Sequence, residues 1–279
     1  MRIGFFKCII LTMLRPFNLG LYRLDSAKGV VLARNGMDGL LRHVQSVGFV
    51  PATVIDVGAA YGAFTRECRS VFPAARYILV EPLVEYESAL KKLTDAVPAA
   101  HYVTAVASAH VGEATLNVHA DLVGSSLLSE VEKNTQVNGV PRTVRAITLD
   151  GLIEEAGATG PFLLKVDVQG AELEVLRGAE RMFADTELIL LEVSLFRFFE
   201  EGPDFSDVVA YMKACGFVAY DISGFQYRPL DNALAQVDVV FVKEAGLFRT
   251  QQGYATPEQR QDQDRRIRAH MEELLARPR

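Results

Sequence analysis

The run Thr53-Val54-Ile55 breaks into Asp56-Val57-Gly58-Ala59-Ala60 and then Tyr61-Gly62, and no other stretch limits the fold so tightly. A short β-branched segment, a glycine-containing turn and then a helical pattern is how an open α/β sheet builds a ligand pocket at the carboxyl end of a strand. Gly58 and Gly62 carry no Cβ, so the backbone can turn sharply there. Read from sequence, Gly58 is spared a side chain so that a ligand can approach the turn. The spacing is Gly-x-x-x-Gly with an acid two residues upstream, not the Gly-x-Gly-x-x-Gly dinucleotide fingerprint. A nicotinamide-dependent oxidoreductase is therefore the weaker reading of this turn.

Arg76-Tyr77-Ile78-Leu79-Val80 reads as the next strand and ends in Glu81-Pro82, with Glu81 lying 25 residues beyond Asp56. A carboxylate at the tip of a second strand can accept hydrogen bonds from both ribose hydroxyls of an adenosine. Each such bond to a charged acceptor contributes about 1.5–3 kcal/mol. Together the two turns fit S-adenosylmethionine, whose sulfonium-bearing tail needs room and an acid rather than a pyrophosphate cradle.

Strands and helices alternate along the chain. Apolar residues at 37, 40, 41, 44 and 47 form a helical stripe ending at Gly48. Phe64, Cys68 and Val71 carry the helix after Gly62, and Leu83, Leu90 and Leu93 the one after Glu81-Pro82. His101 to Val106 is a third strand. Ala114 to His119 and Thr143 to Ile147 read as an inserted hairpin around a long polar loop, where specificity commonly resides. Phe162 to Val168 is the most apolar strand and so central; a helix with Leu173 and Leu176 follows. Glu187 to Val193 is another buried strand, and Asp204 caps a helix carrying Val208, Met212 and Cys215. Phe217 to Ile222 and Val237 to Val242 close the sheet, the last antiparallel. The tail has a capping box, Thr256 with Gln259, and Pro257 at the first helical position. Its stripe of Ile267, Met271, Leu274 and Leu275 must dock on this domain or on a second copy. Three segments result: a helical extension over 1–50, a domain over 51–245, and a helical tail over 246–279.

Of the 279 residues, 49% are hydrophobic and 23% charged, enough apolar material for a full globular core. The net charge of −6 and the lack of a basic stripe among aromatics argue against a nucleic-acid partner. Cys8, Cys68 and Cys215 are far apart, without metal or redox spacing; Cys68 and Cys215, on apolar faces of predicted helices, read as buried free thiols in a reducing compartment such as the cytoplasm. Residues 3–14 are apolar between Arg2 and Arg15, yet shorter than the roughly 20 residues that span a bilayer. No small-residue cleavage site follows. Two readings stay open for this stretch: a helix docked on the domain, or one resting on a membrane surface.

Asp56, Glu81, Asp167 and Glu192 all fall at carboxyl ends of strands. Four acids in one crevice repel one another unless a cation or hydroxyl donors meet them. A cationic cofactor with a diol, beside a hydroxylated acceptor, explains the set. A metal is the rival cation; the histidines at 43, 101, 110, 119 and 270 show no ligand spacing and no metal site is assigned, with Asp167 and a neighbouring acid left as the one open metal-binding alternative. A hydroxyl acceptor must lose a proton, which calls for a general base. Asp167, at the tip of the central strand, is the first candidate; Glu172, Glu192 and His119 follow. Glu172 also has a purely structural reason to be there, since a helix's first turn favours a carboxylate.

These residues resemble a known family. Val54-Ile55-Asp56-Val57-Gly58-Ala59-Ala60-Tyr61-Gly62, Val80-Glu81-Pro82, Thr148-Leu149-Asp150 and above all the block from Leu164 to Ala179 are similar to the FkbM family of S-adenosylmethionine-dependent methyltransferases. The resemblance covers roughly residues 50–245, and the last block is the most specific. It implies an α/β class I methyltransferase (Rossmann-like) fold: a seven-stranded, mainly parallel sheet with helices on both faces, the last strand antiparallel, and a small β-hairpin insertion. It also implies S-adenosylmethionine as cofactor and O-methylation of a hydroxyl on a sugar, glycan or secondary metabolite. The candidate cofactor-binding residues are then Asp56, Gly58, Ala59, Tyr61, Gly62, Glu81, Pro82 and Asp167. A non-catalytic S-adenosylmethionine-binding module is the alternative, because fold alone does not dictate activity.

Overall fold

In a computed structural model of the chain, residues 36–132 and 135–276 are described. The apolar N-terminal stretch and Cys8 lie outside them. The first half runs α1 (Met37–Ser46), β1 (Thr53–Val57), α2 (Ala63–Val71), β2 (Arg76–Val80), α3 (Glu87–Ala96) and β3 (Ala100–Val103). Then come β4 (Val106–Ala107), β5 (Gly112–Val118), a helical turn α4 (Thr135–Asn138), β6 (Val140–Ile147) and α5 (Leu149–Ala156). The rest is β7 (Phe162–Val166), α6 (Glu172–Arg177), β8 (Thr186–Ser194), α7 (Phe205–Ala214), β9 (Phe217–Tyr227), β10 (Leu234–Lys243) and α8 (Pro257–Leu275).

Seven strands form the main sheet in the order β3-β2-β1-β7-β8-β10-β9. The first five pair in parallel, and β10 runs antiparallel to both β8 and β9. This is the topology expected above for the class I methyltransferase fold. Strands β1 and β7 are buried at every position, as a parallel strand covered on both faces requires. One face packs Ile55, Leu164, Ile189 and Phe241 beneath residues of α5, α6 and α7. The other packs Val54, Leu163, Leu190 and Val240 against α1, α2 and α3. The helices start where local chemistry supports them: Asp204 and Asp207 close a capping box on α7, and Thr148 accepts from Gly151 N at the start of α5.

Three sequence expectations are corrected. The third strand ends at Val103. Val106-Ala107 leaves the main sheet and pairs in parallel with β6, making the insertion a three-stranded sheet, β4-β6-β5, rather than a hairpin alone. The cause is a separate apolar cluster of Leu83, Val106, Leu116, Val118 and Ala146, which draws the chain out of the sheet. Cys68 is buried, but Cys215 is only partly so, at the end of α7. Finally, α8 forms on its capping box, yet Ile267, Met271, Leu274 and Leu275 are all exposed, so its stripe does not dock on this domain. Among the described residues, no helix is long and apolar enough to cross a membrane.

Gly58 is required for a further reason besides the sharp turn and ligand approach that its sequence context suggests. It has φ +71°, and a Cβ there would sit 1.8 Å from the backbone oxygen of Asp167. The obstacle is the main chain just beyond the neighbouring strand. Gly216 offers an internal control: its φ is +83°, but a Cβ there would meet nothing within 4 Å. Gly216→Ala should cost only the left-handed backbone penalty, about 1–2 kcal/mol. Gly58→Ala adds a main-chain collision and should cost at least ~2 kcal/mol more. Equal urea midpoints for the two variants would refute this account of the β1–β7 junction.

Candidate active site

The strand order reverses between β1 and β7, the position at which open α/β sheets bind ligands. A crevice opens there. Its floor is the β1 turn (Val57, Gly58, Ala60) and the β7 turn (Asp167, Val168, Gln169). One wall is Val80, Glu81, Pro82, Leu83 and Tyr86, and another is Val106, Ala107 and Leu116 from the inserted sheet. Leu122, Val123, Ser125 and Leu127 of the insertion's loop close the top. The lining is mostly apolar with a few convergent polar groups, as small-molecule sites usually are.

Beneath the floor lies Lys165, buried in the middle of an apolar strand. Its ammonium donates to Gly58 O at 2.9 Å and sits 3.3 Å from Asp56 Oδ1 and 3.4 Å from Asp167 Oδ2. Asp56 and Lys165 are register partners across β1–β7, so the pair is built into the sheet. Burial works against the ammonium, but Asp56 and Asp167 outweigh it and hold its pKa above the ordinary lysine value. Asp56 Oδ2 accepts from Thr65 Oγ1 of α2 at 2.7 Å. Two of the four strand-end acids, Asp56 and Asp167, thus meet a cation supplied by the chain itself.

Glu81 is buried at the end of β2. Its Oε2 accepts from Ala60 N at 2.8 Å and its Oε1 from Leu83 N at 2.9 Å, tying the β1 and β2 turns together. Each oxygen keeps an acceptor site beyond these bonds. Burial raises the Glu81 pKa, opposed by the two backbone donors.

The β7 turn is held from three sides. Gln169 has φ +55°, uncommon for a residue with a side chain. Its Nε2 donates to Glu192 Oε2 at 2.9 Å and to Asp167 Oδ1 at 3.3 Å, and its carbonyl accepts from Ser126 Oγ at 2.6 Å. Ser126 comes from the insertion's loop, which also pairs with the chain after β8 through Val131 N to Phe198 O at 2.9 Å and Glu200 N to Ser129 O at 2.7 Å. At Gly170, φ +88°, a Cβ would meet the Phe199 ring at 2.5 Å. Glu192 accepts three glutamine amides and is pushed up to about 8, by burial first and then by the charges of Asp167 and Asp238.

Of the residues singled out from sequence, Gly58, Glu81, Pro82 and Asp167 line the crevice. Asp56, Ala59, Tyr61 and Gly62 fall outside its lining. Asp56 faces Lys165 and Thr65, Ala59 is buried under the turn, Tyr61 is exposed, and Gly62 opens α2 with φ +81°. Of the base candidates only Asp167 lines the crevice. Glu172 is buried with its Oε1 on Gly170 N at 2.9 Å, Glu192 lies behind Gln169, and His119 stands 3.9 Å from Glu130 in the insertion. Sequence reasoning missed Lys165, Gln169 and Ser126. Among the described residues no cluster of His, Cys, Asp and Glu could hold a metal ion.

The methyltransferase FkbM domain profile matches residues 56–219. No curated protein matches the chain. Among solved structures, a methyltransferase FkbM from Methylobacillus flagellatus aligns at 16% identity and a TM-score of 0.44, over 67% of this chain and 43% of that one. This chain thus spans less than half the length of that relative. The magnesium protoporphyrin IX methyltransferase of Synechocystis, with S-adenosylmethionine bound, aligns at 11% identity and 0.44, over 87% of this chain and 92% of that one. A Burkholderia thailandensis 1,6-didemethyltoxoflavin-N1-methyltransferase aligns at 13% and 0.41, over 74% and 76%.

Burial pushes Glu172 up to about 7. Its folded pKa therefore exceeds its unfolded one, and between about pH 4.5 and 7 the folded state keeps a proton that the unfolded state has released. Stability falls as pH rises through that window. Glu172→Gln should remove this part of the loss, so that the variant gains on the native chain by about 1–3 kcal/mol between pH 5 and 8. Glu192 titrates nearby and keeps some slope in both proteins. A constant offset between the two urea-denaturation curves across that range would show that Glu172 is not protonated in the fold.

Proposed function

Because the chain belongs to the FkbM family of S-adenosylmethionine-dependent methyltransferases, we propose that its crevice takes the cofactor's adenosine against Glu81 and that the enzyme O-methylates a hydroxyl of a sugar, glycan or secondary metabolite. The observation that carries this reading is Glu81 itself. It is a buried acid with spare acceptor sites, at the edge of an apolar slot between Leu83, Tyr86, Val106 and Leu116. An adenine fits such a slot, and a ribose diol fits such an acid. When bound, the cofactor supplies an electrophilic methyl on a sulfonium. The chain's task is mainly alignment, which can contribute about 7–11 kcal/mol in favourable cases.

Asp167 is the group proposed to take the acceptor's proton. It lines the crevice, its side chain is 37% exposed, and Lys165 and Gln169 fix its two oxygens. The hydroxyl proton passes to a carboxylate oxygen as the acceptor oxygen attacks. Lys165 stays charged throughout, and steadies the carboxylate rather than exchanging a proton. Glu172 and His119 lack such access. A binding module without turnover is the rival, separated by whether S-adenosylhomocysteine forms when labelled cofactor meets a panel of glycosides and hydroxylated metabolites.

Two substitutions test the assignments. Glu81→Gln should weaken S-adenosylmethionine binding by about tenfold or more, from the loss of charged acceptors; unchanged calorimetric affinity in a folded variant would overturn the ribose assignment. Asp167→Asn, nearly isosteric, should lower kcat by about 10²-fold or more while leaving the cofactor Kd nearly unchanged. Turnover within a few-fold of the native enzyme would remove Asp167 as base.

A further inference from the structure

A polar row continues from Asp167 across the carboxyl rim of the sheet, away from the crevice. Glu192 on β8 is the register partner of Asp238 on β10, and Asp238 is the partner of Ser223 on β9. Val166 pairs with Leu191, so Asp167 follows on in the same row as Glu192. Directly paired residues present their side chains on one face of a sheet.

Glu192 accepts from Gln169 at 2.9 Å, Gln226 at 2.7 Å and Gln236 at 3.0 Å. Gln226 and Gln236 each spend one N–H this way, which leaves each a second donor and a carbonyl oxygen. Ser223 is 1% exposed and its hydroxyl has no hydrogen-bond partner. A buried hydroxyl left unmet is uncommon in a native fold and points to a partner supplied from outside.

Resting on the reading of this site as a hydroxyl methyltransferase, we propose that the row is its acceptor subsite and that the acceptor there is a neutral, polyhydroxylated molecule of the sugar class. The row alternates carboxyl groups with amides, and groups that both donate and accept match it along its length. Hydroxyls do; an ammonium only donates. An anion is opposed by charge. The Lys165 ammonium is already shared between Asp56 and Asp167, Asp238 feels it only at a distance, and Glu192 is set among the carboxyls of Asp167 and Asp238. Arg228, in the β9–β10 turn, is already held by Asp231 at 2.6 and 2.8 Å over the Phe196 ring. Burial and the nearby Asp167 charge raise the pKa of Glu192 to about 8 and raise that of Asp238 as well, so Glu192 keeps a proton at neutral pH, as expected of a rim that resists further negative charge.

The test uses the full chain loaded with S-adenosylhomocysteine, whose binding is titrated first by calorimetry. Methyl glucoside, glucose 6-phosphate and glucuronate are then compared by saturation-transfer NMR. The neutral glycoside should bind, and the two anions about tenfold or more weakly, a difference of roughly 1.4 kcal/mol. Gln226 is exposed, so Gln226→Lys leaves the fold intact. It should narrow or reverse the disadvantage of the phosphate while S-adenosylhomocysteine affinity stays the same, a gain that a merely structural glutamine could not produce. Anions binding as well as the glycoside, no glycoside binding to the loaded protein, or an unchanged ratio in Gln226→Lys would each overturn the proposal. Failure of the first titration would count against the methyltransferase site as a whole.

Discussion

Lys165 places an ammonium group at the point where the strand order reverses, and the arrangement of the site follows from how that charge is met. In a strand buried on both faces a lysine is costly unless it is paired and hydrogen-bonded. Here the pairing is distributed over both sides of the junction. Asp56 comes from β1, Asp167 from the end of β7, and the Gly58 carbonyl from the β1 turn. Removing any one of them leaves the remaining charges less well compensated. The β1 and β7 turns are therefore locked to one another, and the crevice between their ends has a fixed floor.

That locking also decides which acids are free to do chemistry. Asp56 is consumed by Lys165 and Thr65, and Glu172 by the backbone of the β7 turn. Glu192 is surrounded by amides. Glu81 and Asp167 alone among the strand-end acids face the crevice, on opposite sides of it. One is braced by two backbone donors, the other by an ammonium and an amide. Such bracing is what holds a reacting geometry in place before substrate arrives.

Much of this is legible in the chain. The β-branched run into Gly58, the second strand ending in Glu81, and the apolar strand into Asp167 each carry a local signal that survives folding. The tips of β2 and β7 can be placed from sequence because the period of a buried strand and the glycine of its turn are properties of a few adjacent residues. Lys165 escapes such reading. A lysine inside Phe162-Leu163-Leu164-Lys165-Val166 shows its meaning only beside Asp56 in Val54-Ile55-Asp56-Val57, and that pairing depends on register between strands over a hundred residues apart. A signal is nonetheless present: two opposite charges, each alone in a run that must be buried. Gly58 stands out in the sequence for its turn, while the carbonyl that also forbids a side chain there belongs to a distant segment and is not legible. Ser126 carries no local signal at all. Its role exists only once the insertion's loop has folded over the β7 turn.

That last contact gives the insertion a physical connection to the chemistry. Ser126 donates to the carbonyl of Gln169, whose amide reaches both Asp167 and Glu192. The residue that joins the crevice to the polar row is thus anchored by a segment outside the main sheet. A change in the insertion's loop alters the upper wall of the crevice through Leu122, Val123 and Leu127, and the aim of Gln169 through Ser126, without touching the Lys165 junction below. The sheet can keep its charge network constant while the loop changes what is admitted. Loops on a rigid scaffold are where recognition is adjusted, and here one hydrogen bond of 2.6 Å sets how directly that adjustment reaches the carboxylate proposed to act as base.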